Sequence, residues 1–211
     1  METLSDEIKK FLSLYSKMNT NENSMEISVG NSLGKYIFDT NVSNKYWKGI
    51  QKRIESANDY TIKKEFTYDI YTDYDTKLYK SPKKTNCISS KLIAQSLCYN
   101  NSSGFDFKIS IYKKKPENTA TFPPKYDYHN MVTRKTISYN FNNGFYLNLS
   151  EIDPINKSDT TKRWSIDILL SKNSKITRNL LIKNIMKVLR DIYSVLHMKV
   201  DEFRVHSTIT D

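Results

Sequence analysis

Cysteine and histidine are scarce in this chain: two cysteines, Cys87 and Cys98, and three histidines among 211 residues. Neither cysteine belongs to a CxxC pair or neighbours a histidine cluster, which argues against a zinc site and fits a reducing compartment. His129, His197 and His206 are too dispersed for a triad or an evident catalytic base. His197 suits a helix end, where a cation complements the dipole. No apolar run of about 18 residues exists and the N-terminus has no signal-peptide core, so neither a membrane span nor secretion is expected. The expectation is a soluble, intracellular protein of cytoplasm or nucleus. Acidic residues are also in short supply, 23 Asp and Glu against 33 Lys and Arg, giving a formal net charge of +10. That surplus favours an anionic partner, because a basic surface binds nucleic acid by releasing counterions. Lysine-rich codons of an AT-rich genome would produce the same surplus, and the 15 tyrosines fit that composition.

The length predicts one domain over residues 1–211 that buries roughly 70% of its unfolded surface. Leu4, Ile8, Phe11, Leu12 and Tyr15 recur at helical spacing, as do Tyr46, Trp47, Ile50 and Ile54 within 43–56, with Ser43 as candidate cap. A third helix is expected over 176–199, carried by Leu180, Leu181, Ile185, Val188, Leu189, Ile192 and Leu196. Strand-like alternation marks 25–29, 36–38, 61–74, 76–80, 87–95, 105–112, 134–139, 145–152 and 163–170. The segment 113–125, with Pro116, Pro123 and Pro124, predicts a surface loop that includes the lysine run 113–115. The fold class is α+β, an antiparallel sheet that curls or closes, with flanking helices.

The polar faces of these strands collect Glu26 with Ser28, Lys91, Asp106 with Lys108 and Ser110, Arg134 with Thr136 and Ser138, Asn148 with Ser150, and Ser165 with Asp167. Alternation alone permits two readings. Either each polar stripe faces water, or the stripes line the inside of a closed barrel and form an ionic cavity. Inside one cavity, the acids could hold a hard divalent cation through oxygen while the bases neutralise a polyphosphate.

The order of four pieces resembles the metal-dependent RNA 5′-triphosphatases of the triphosphate tunnel metalloenzyme class, known from fungal, protozoan and large-DNA-virus mRNA capping. Ser24-Met-Glu-Ile-Ser-Val-Gly30 resembles the first acidic strand, normally Glu-x-Glu before a glycine. Gly104-Phe-Asp-Phe-Lys-Ile-Ser-Ile111 resembles the strand with an inward base, which falls on Lys108. Arg134-Lys-Thr-Ile-Ser-Tyr139 and Phe145-Tyr-Leu-Asn-Leu-Ser-Glu-Ile152 resemble the basic strand and its partner, and Arg163-Trp-Ser-Ile-Asp-Ile168 takes the place of the second acidic strand. The resemblance covers roughly residues 22 to 196. It implies a closed antiparallel tunnel barrel, Mg²⁺ or Mn²⁺ as cofactor, and removal of the γ-phosphate of triphosphate-ended RNA. Partners so implied are that RNA and a guanylyltransferase, methyltransferase or other transcription-complex subunit, and a viral source would add the virion as a location.

Carried over residue by residue, the resemblance assigns Glu26 and Asp167 to catalysis and the metal, Arg134 to catalysis and phosphate binding, and Lys108 to the phosphates; Lys91, on a polar strand face outside the four pieces, is added to the phosphate-binding set. The chain departs from the pattern at Ser28 and Ser165, where second acids are expected, at Thr136 in place of a second Arg, and at Asn148 in place of Asp. Each departure removes charge. The sequence therefore leaves three functions open: an RNA 5′-triphosphatase, a catalytically silent tunnel-fold subunit (a pseudoenzyme) binding RNA or a capping or transcription partner, and an unrelated basic α+β nucleic-acid-binding domain.

Overall fold

The computed structural model describes residues 4–18, 21–33, 37–73, 76–81, 84–100, 105–118, 130–142, 144–155, 161–170, 176–197 and 203–209. In chain order the elements are α1 (Leu4–Ser16), β1 (Asn23–Ser32), β2 (Phe38–Asp39), α2 (Asn44–Ala57), β3 (Ile62–Asp73), β4 (Thr76–Lys80), β5 (Thr85–Asn100), β6 (Asp106–Glu117), β7 (Asn130–Phe141), β8 (Phe145–Pro154), β9 (Arg163–Leu170), α3 (Arg178–Leu196) and β10 (Phe203–Ile209). The pairing runs β5, β4, β3, β7, β8, β9, β1 and then closes, because β6 bonds to both β1 and β5. Eight antiparallel strands thus form a closed barrel. Closure removes most of the free edges that an open sheet of this size would present, leaving residues 62–68 of β3 paired on the β7 side alone among the described strands. β2 and β10 lie outside the ring, on β1 and on the second half of β5 respectively.

The main apolar core lies outside the barrel wall, between strands and helices. Met25, Ile27 and Val29 of β1, Phe107, Ile109 and Ile111 of β6, and Ile166, Ile168 and Leu170 of β9 are all buried there. They meet Ile8 and Phe11 of α1, Ile50 and Ile54 of α2, and Ile185, Leu189 and Ile192 of α3. Burying one such isoleucine contributes roughly 1.5–3 kcal/mol. The alternate residues of the same strands consequently face the lumen. Of the two readings of the polar stripes, the lumen-facing one is therefore the one the fold adopts.

Local chemistry sets the helix ends and one tight contact. Ser43 caps α2, its side chain accepting from the Tyr46 N–H, and Asn58 ends that helix in the left-handed region at φ 52°. His197 ends α3 in the same way at φ 56°, its backbone N–H donating to the Tyr193 carbonyl. At Gly30 a Cβ would lie 2.0 Å from the Asp39 carbonyl oxygen, so β2 can lie against β1 only where a side chain is missing.

Several expectations from sequence need correcting. β6 continues through Glu117, so Lys113 to Glu117 is strand and not loop. Pro116 is tolerated near the strand's end, opposite Ile88 of β5. β5 is longer than expected, reaching Asn100, and β10 was not expected at all. Residues 119–125 of the anticipated loop, with Pro123 and Pro124, lie outside the described residues, as do 198 and 199 of the third helix.

Candidate active site in the barrel lumen

The lumen holds a cavity of about 410 Å³ whose wall includes Glu26, Ser28, Lys77, Lys114, Arg134, Thr136, Asn148, Ser165 and Asp167. Its acidic side is built by β1 and β9, which pair so that Ser28 stands opposite Asp167 and Glu26 opposite Leu169. β8 continues the row, with Asn148 opposite Asp167, and β7 supplies Arg134 opposite Ile152. Ladder register thus brings Glu26, Asp167 and Arg134 together from three strands distant in sequence.

Asp167 is the centre of a buried polar network. Its Oδ2 accepts from Arg134 Nη2 at 2.9 Å and from Ser165 Oγ at 3.1 Å, and its Oδ1 accepts from Ser28 Oγ at 2.8 Å. Arg134 also donates from Nε to Ser150 Oγ at 2.9 Å and from Nη2 to Ser165 Oγ at 3.2 Å. Ser28 Oγ lies 3.4 Å from Glu26 Oε1, so one hydroxyl joins the two carboxylates. A charge-assisted network of this kind is strong when every member is satisfied, as Asp167 is here.

Glu26 is less comfortable. Burial raises its pKa above the ordinary carboxylate value, and Asp167 adds repulsion, while Lys114, Lys108 and Arg134 oppose the rise. On the opposite wall, burial among lumen atoms lowers the pKa of Lys77, an effect that Glu26 offsets and Arg134 reinforces. Although Lys77 is shielded in this sense, its side chain keeps contact with water through the lumen. A phosphate chain would relieve Lys77 by adding negative charge beside it, whereas Glu26 would be relieved only by a cation or a proton.

Of the candidates from sequence, Glu26, Asp167 and Arg134 come together in the cavity. Lys108 is near enough to act on Glu26, and its Nζ lies 5.2 Å from the centroid of the Phe38 ring. Lys91 is exposed, opposite Lys113, and its neighbour Ser90 lines the cavity instead. A register slip between Leu92 and Ala94 explains this: the alternation that places Ala94 and Cys98 in the core does not carry back to Lys91. Asp106 accepts from the backbone N–H groups of Ser32 and Asn100, both at 2.9 Å, a structural role at the barrel rim.

Lys77 and Lys114 escaped the sequence reading. Lys114 alternates with Tyr112 along β6, a signal hidden by the flanking lysines and Pro116. Lys77 alternates with Tyr79 along β4, but Lys80 on the other face blurs that short strand.

The residues present fit a hard divalent cation supplied together with phosphate. Glu26 and Asp167 offer carboxylate oxygens, and the buried Asn148 Oδ1 has no hydrogen-bond partner in the protein. Among the described residues no cluster of three or more His, Cys, Asp or Glu could form a full protein cage. Mg²⁺ is commonly held by one or two carboxylates plus substrate phosphates, with water completing the shell.

No family model and no curated protein matches the sequence. Solved structures do match. Pct1 RNA triphosphatase of S. pombe superposes with a TM-score of 0.69 at 12% identity, over 92% of this chain and 93% of that one. Pct1 in complex with the Spt5 CTD gives 0.68, again at 12% identity, over 92% of each chain. The Mimivirus capping enzyme triphosphatase gives 0.52 at 13% identity, over 89% of this chain and 96% of that one. The chain therefore has the triphosphate tunnel fold: a closed eight-stranded antiparallel barrel with three helices, its polar face turned inward.

Proposed function

We propose that the lumen receives the 5′-triphosphate of RNA and that its γ-phosphate is hydrolysed there, as the first step of mRNA capping. One observation carries this reading: Lys77, Lys114 and Arg134 converge with Glu26 and Asp167 on a single cavity inside the barrel. A metal-free stack of packing side chains would not need so many ionisable groups in a lumen that could be filled with apolar ones.

Arg134, Lys114 and Lys77 bind and orient the phosphate oxygens, with Lys108 adding its field. Water attacks the γ-phosphorus while the bond to the β-phosphate oxygen breaks, leaving diphosphate-ended RNA and inorganic phosphate. Phosphoryl transfer asks mainly for positioning and charge, which these groups supply. Glu26 and Asp167, with Asn148, would hold Mg²⁺ or Mn²⁺, which supplies Lewis-acid neutralisation of charge on the phosphates. Arg134 is paired with Asp167 in the structure, so that carboxylate would be open to the cation where a phosphate takes over the guanidinium. Pct1 has been solved with the Spt5 CTD, and a guanylyltransferase, methyltransferase or transcription-complex subunit is the matching class of partner for this chain. Among the described residues no helix is long and apolar enough to cross a membrane.

A second reading is favoured by the serines. Ser28 and Ser165 hydroxyls bridge places where a carboxylate would add a metal ligand, and Arg134 neutralises Asp167 directly. Loss of one electrostatic stabiliser commonly costs 10²–10³-fold in rate, on the order of 3–4 kcal/mol, so several losses would leave an end-binding subunit without useful turnover.

Release of γ-phosphate from triphosphate-ended RNA in Mg²⁺ and in Mn²⁺ separates the two. The hydrolytic reading expects metal-dependent release that falls at least about 100-fold in Glu26→Ala and Asp167→Ala. Binding of the same RNA without release supports the silent subunit, and release indifferent to both substitutions contradicts the site.

A further inference from the structure

The wall opposite the acids is aromatic. Phe66 and Tyr68 alternate along the lumen face of β3, Tyr79 faces the lumen from β4, and all three line the cavity that contains Arg134. Their rings meet edge to face, with centroids 5.4 Å apart for Phe66 and Tyr68 and 6.3 Å for Tyr68 and Tyr79. Phe66 is 38% exposed, unusual for a phenylalanine. The exposure follows from the topology: β4 pairs only with Asp69–Asp73 of β3, so on that side no described strand covers Phe66 or Tyr68. Rings that merely filled the barrel would be enclosed by it. Here Phe66 is exposed at the gap in the wall, and Tyr68 and Tyr79 stay half-buried along the same cavity.

Register ties the rings to the phosphate site. Tyr68 stands directly opposite Arg134, and Phe66 opposite Thr136, on neighbouring strands. Adjacent strands are about 5 Å apart, so a phosphate on Arg134 leaves the attached sugar and base within reach of Tyr68 and Phe66. Aromatic side chains stack on bases with little regard to base identity, because every base offers a π face.

Resting on the triphosphate-binding reading above, we propose that Phe66 and Tyr68, supported by Tyr79, form a stacking platform for the first nucleobase of the bound RNA. The lumen then recognises a nucleotide, and not only a triphosphate chain. Stacking requires no base-edge hydrogen bond, so the platform accepts purines of either kind.

The test compares ligands that differ only in the base: the β,γ-imido forms of ATP, GTP and ribose 5′-triphosphate, titrated calorimetrically with Mg²⁺ into the full chain. The native protein is expected to bind both nucleotides about 10-fold more tightly than the ribose compound, the scale of one stacked base. Phe66→Leu and Tyr68→Leu should bring nucleotide affinity down to the ribose level without changing affinity for the ribose compound. Phe66→Tyr should retain the preference, which distinguishes stacking from damage to the fold. Equal native affinity for all three ligands overturns the platform and leaves triphosphate binding standing, as does parallel weakening of all three by the leucine variants. If none of the three binds the native chain, triphosphate binding itself fails and the platform fails with it.

Discussion

Glu26 is the residue whose environment makes the clearest testable demand. Its carboxyl pKa is raised in the folded state, first by burial and then by Asp167. A raised acid binds more protons folded than unfolded, so its contribution is most favourable below the ordinary glutamate range and is lost as pH rises through the folded pKa. Glu26→Gln is therefore expected to melt at a higher temperature than the native chain near neutral pH, with the difference vanishing below about pH 4. Melting curves across that range check it, and a pH-independent difference would show that the carboxyl is not strained. The hydroxyls beside it behave differently. Ser28→Ala would remove a donor to Asp167 and the bridge to Glu26, and a cost of about 1–3 kcal/mol is expected because an acceptor loses its partner in a buried place. Chemical denaturation measures that value, and no loss of stability would mean that water replaces the hydroxyl fully.

At the scale of elements, period-two alternation is what made the barrel legible. Trp164, Ile166, Ile168 and Leu170 share the helix-facing side of β9, and Ser165 and Asp167 the lumen side, as their spacing implies. Alternation fails where the ladder slips, which is why Lys91 was assigned inward although the bulge at Leu92/Ala94 leaves it exposed. It is also blind where both faces carry lysine, as at Lys113–Lys115, so Lys114 was missed. Neither signal could reveal that Phe66 borders a gap, since that depends on how few residues β4 contributes. The interface of β6 with the helices is expected to dominate stability. Ile109→Ala, at a fully buried position in the centre of that strand, should cost about 2–5 kcal/mol in denaturant unfolding. The matching change in the lumen wall, Asn148→Ala, should cost less, because its Oδ1 has no hydrogen-bond partner in the protein. Equal costs would contradict a core placed outside the barrel.

Taken as a whole molecule, the chain gathers charged groups in a lumen that its bulk charge only hints at. A net charge of +10 would attract RNA to any part of the surface. On the proposed reading the lumen would add selectivity for an end, because Lys77, Lys114 and Arg134 line the cavity inside the barrel and not its outer surface. Surface attraction weakens steeply with salt through counterion release, whereas discrimination between ends should persist. The most direct test of the central claim is the affinity of one short RNA carrying a 5′-triphosphate or a 5′-hydroxyl, measured at moderate and high salt for the native chain and for Arg134→Ala. A triphosphate preference of about 10-fold or more that survives high salt and collapses in Arg134→Ala is the predicted result. Equal affinity for the two ends, or a preference that Arg134→Ala leaves intact, would contradict it.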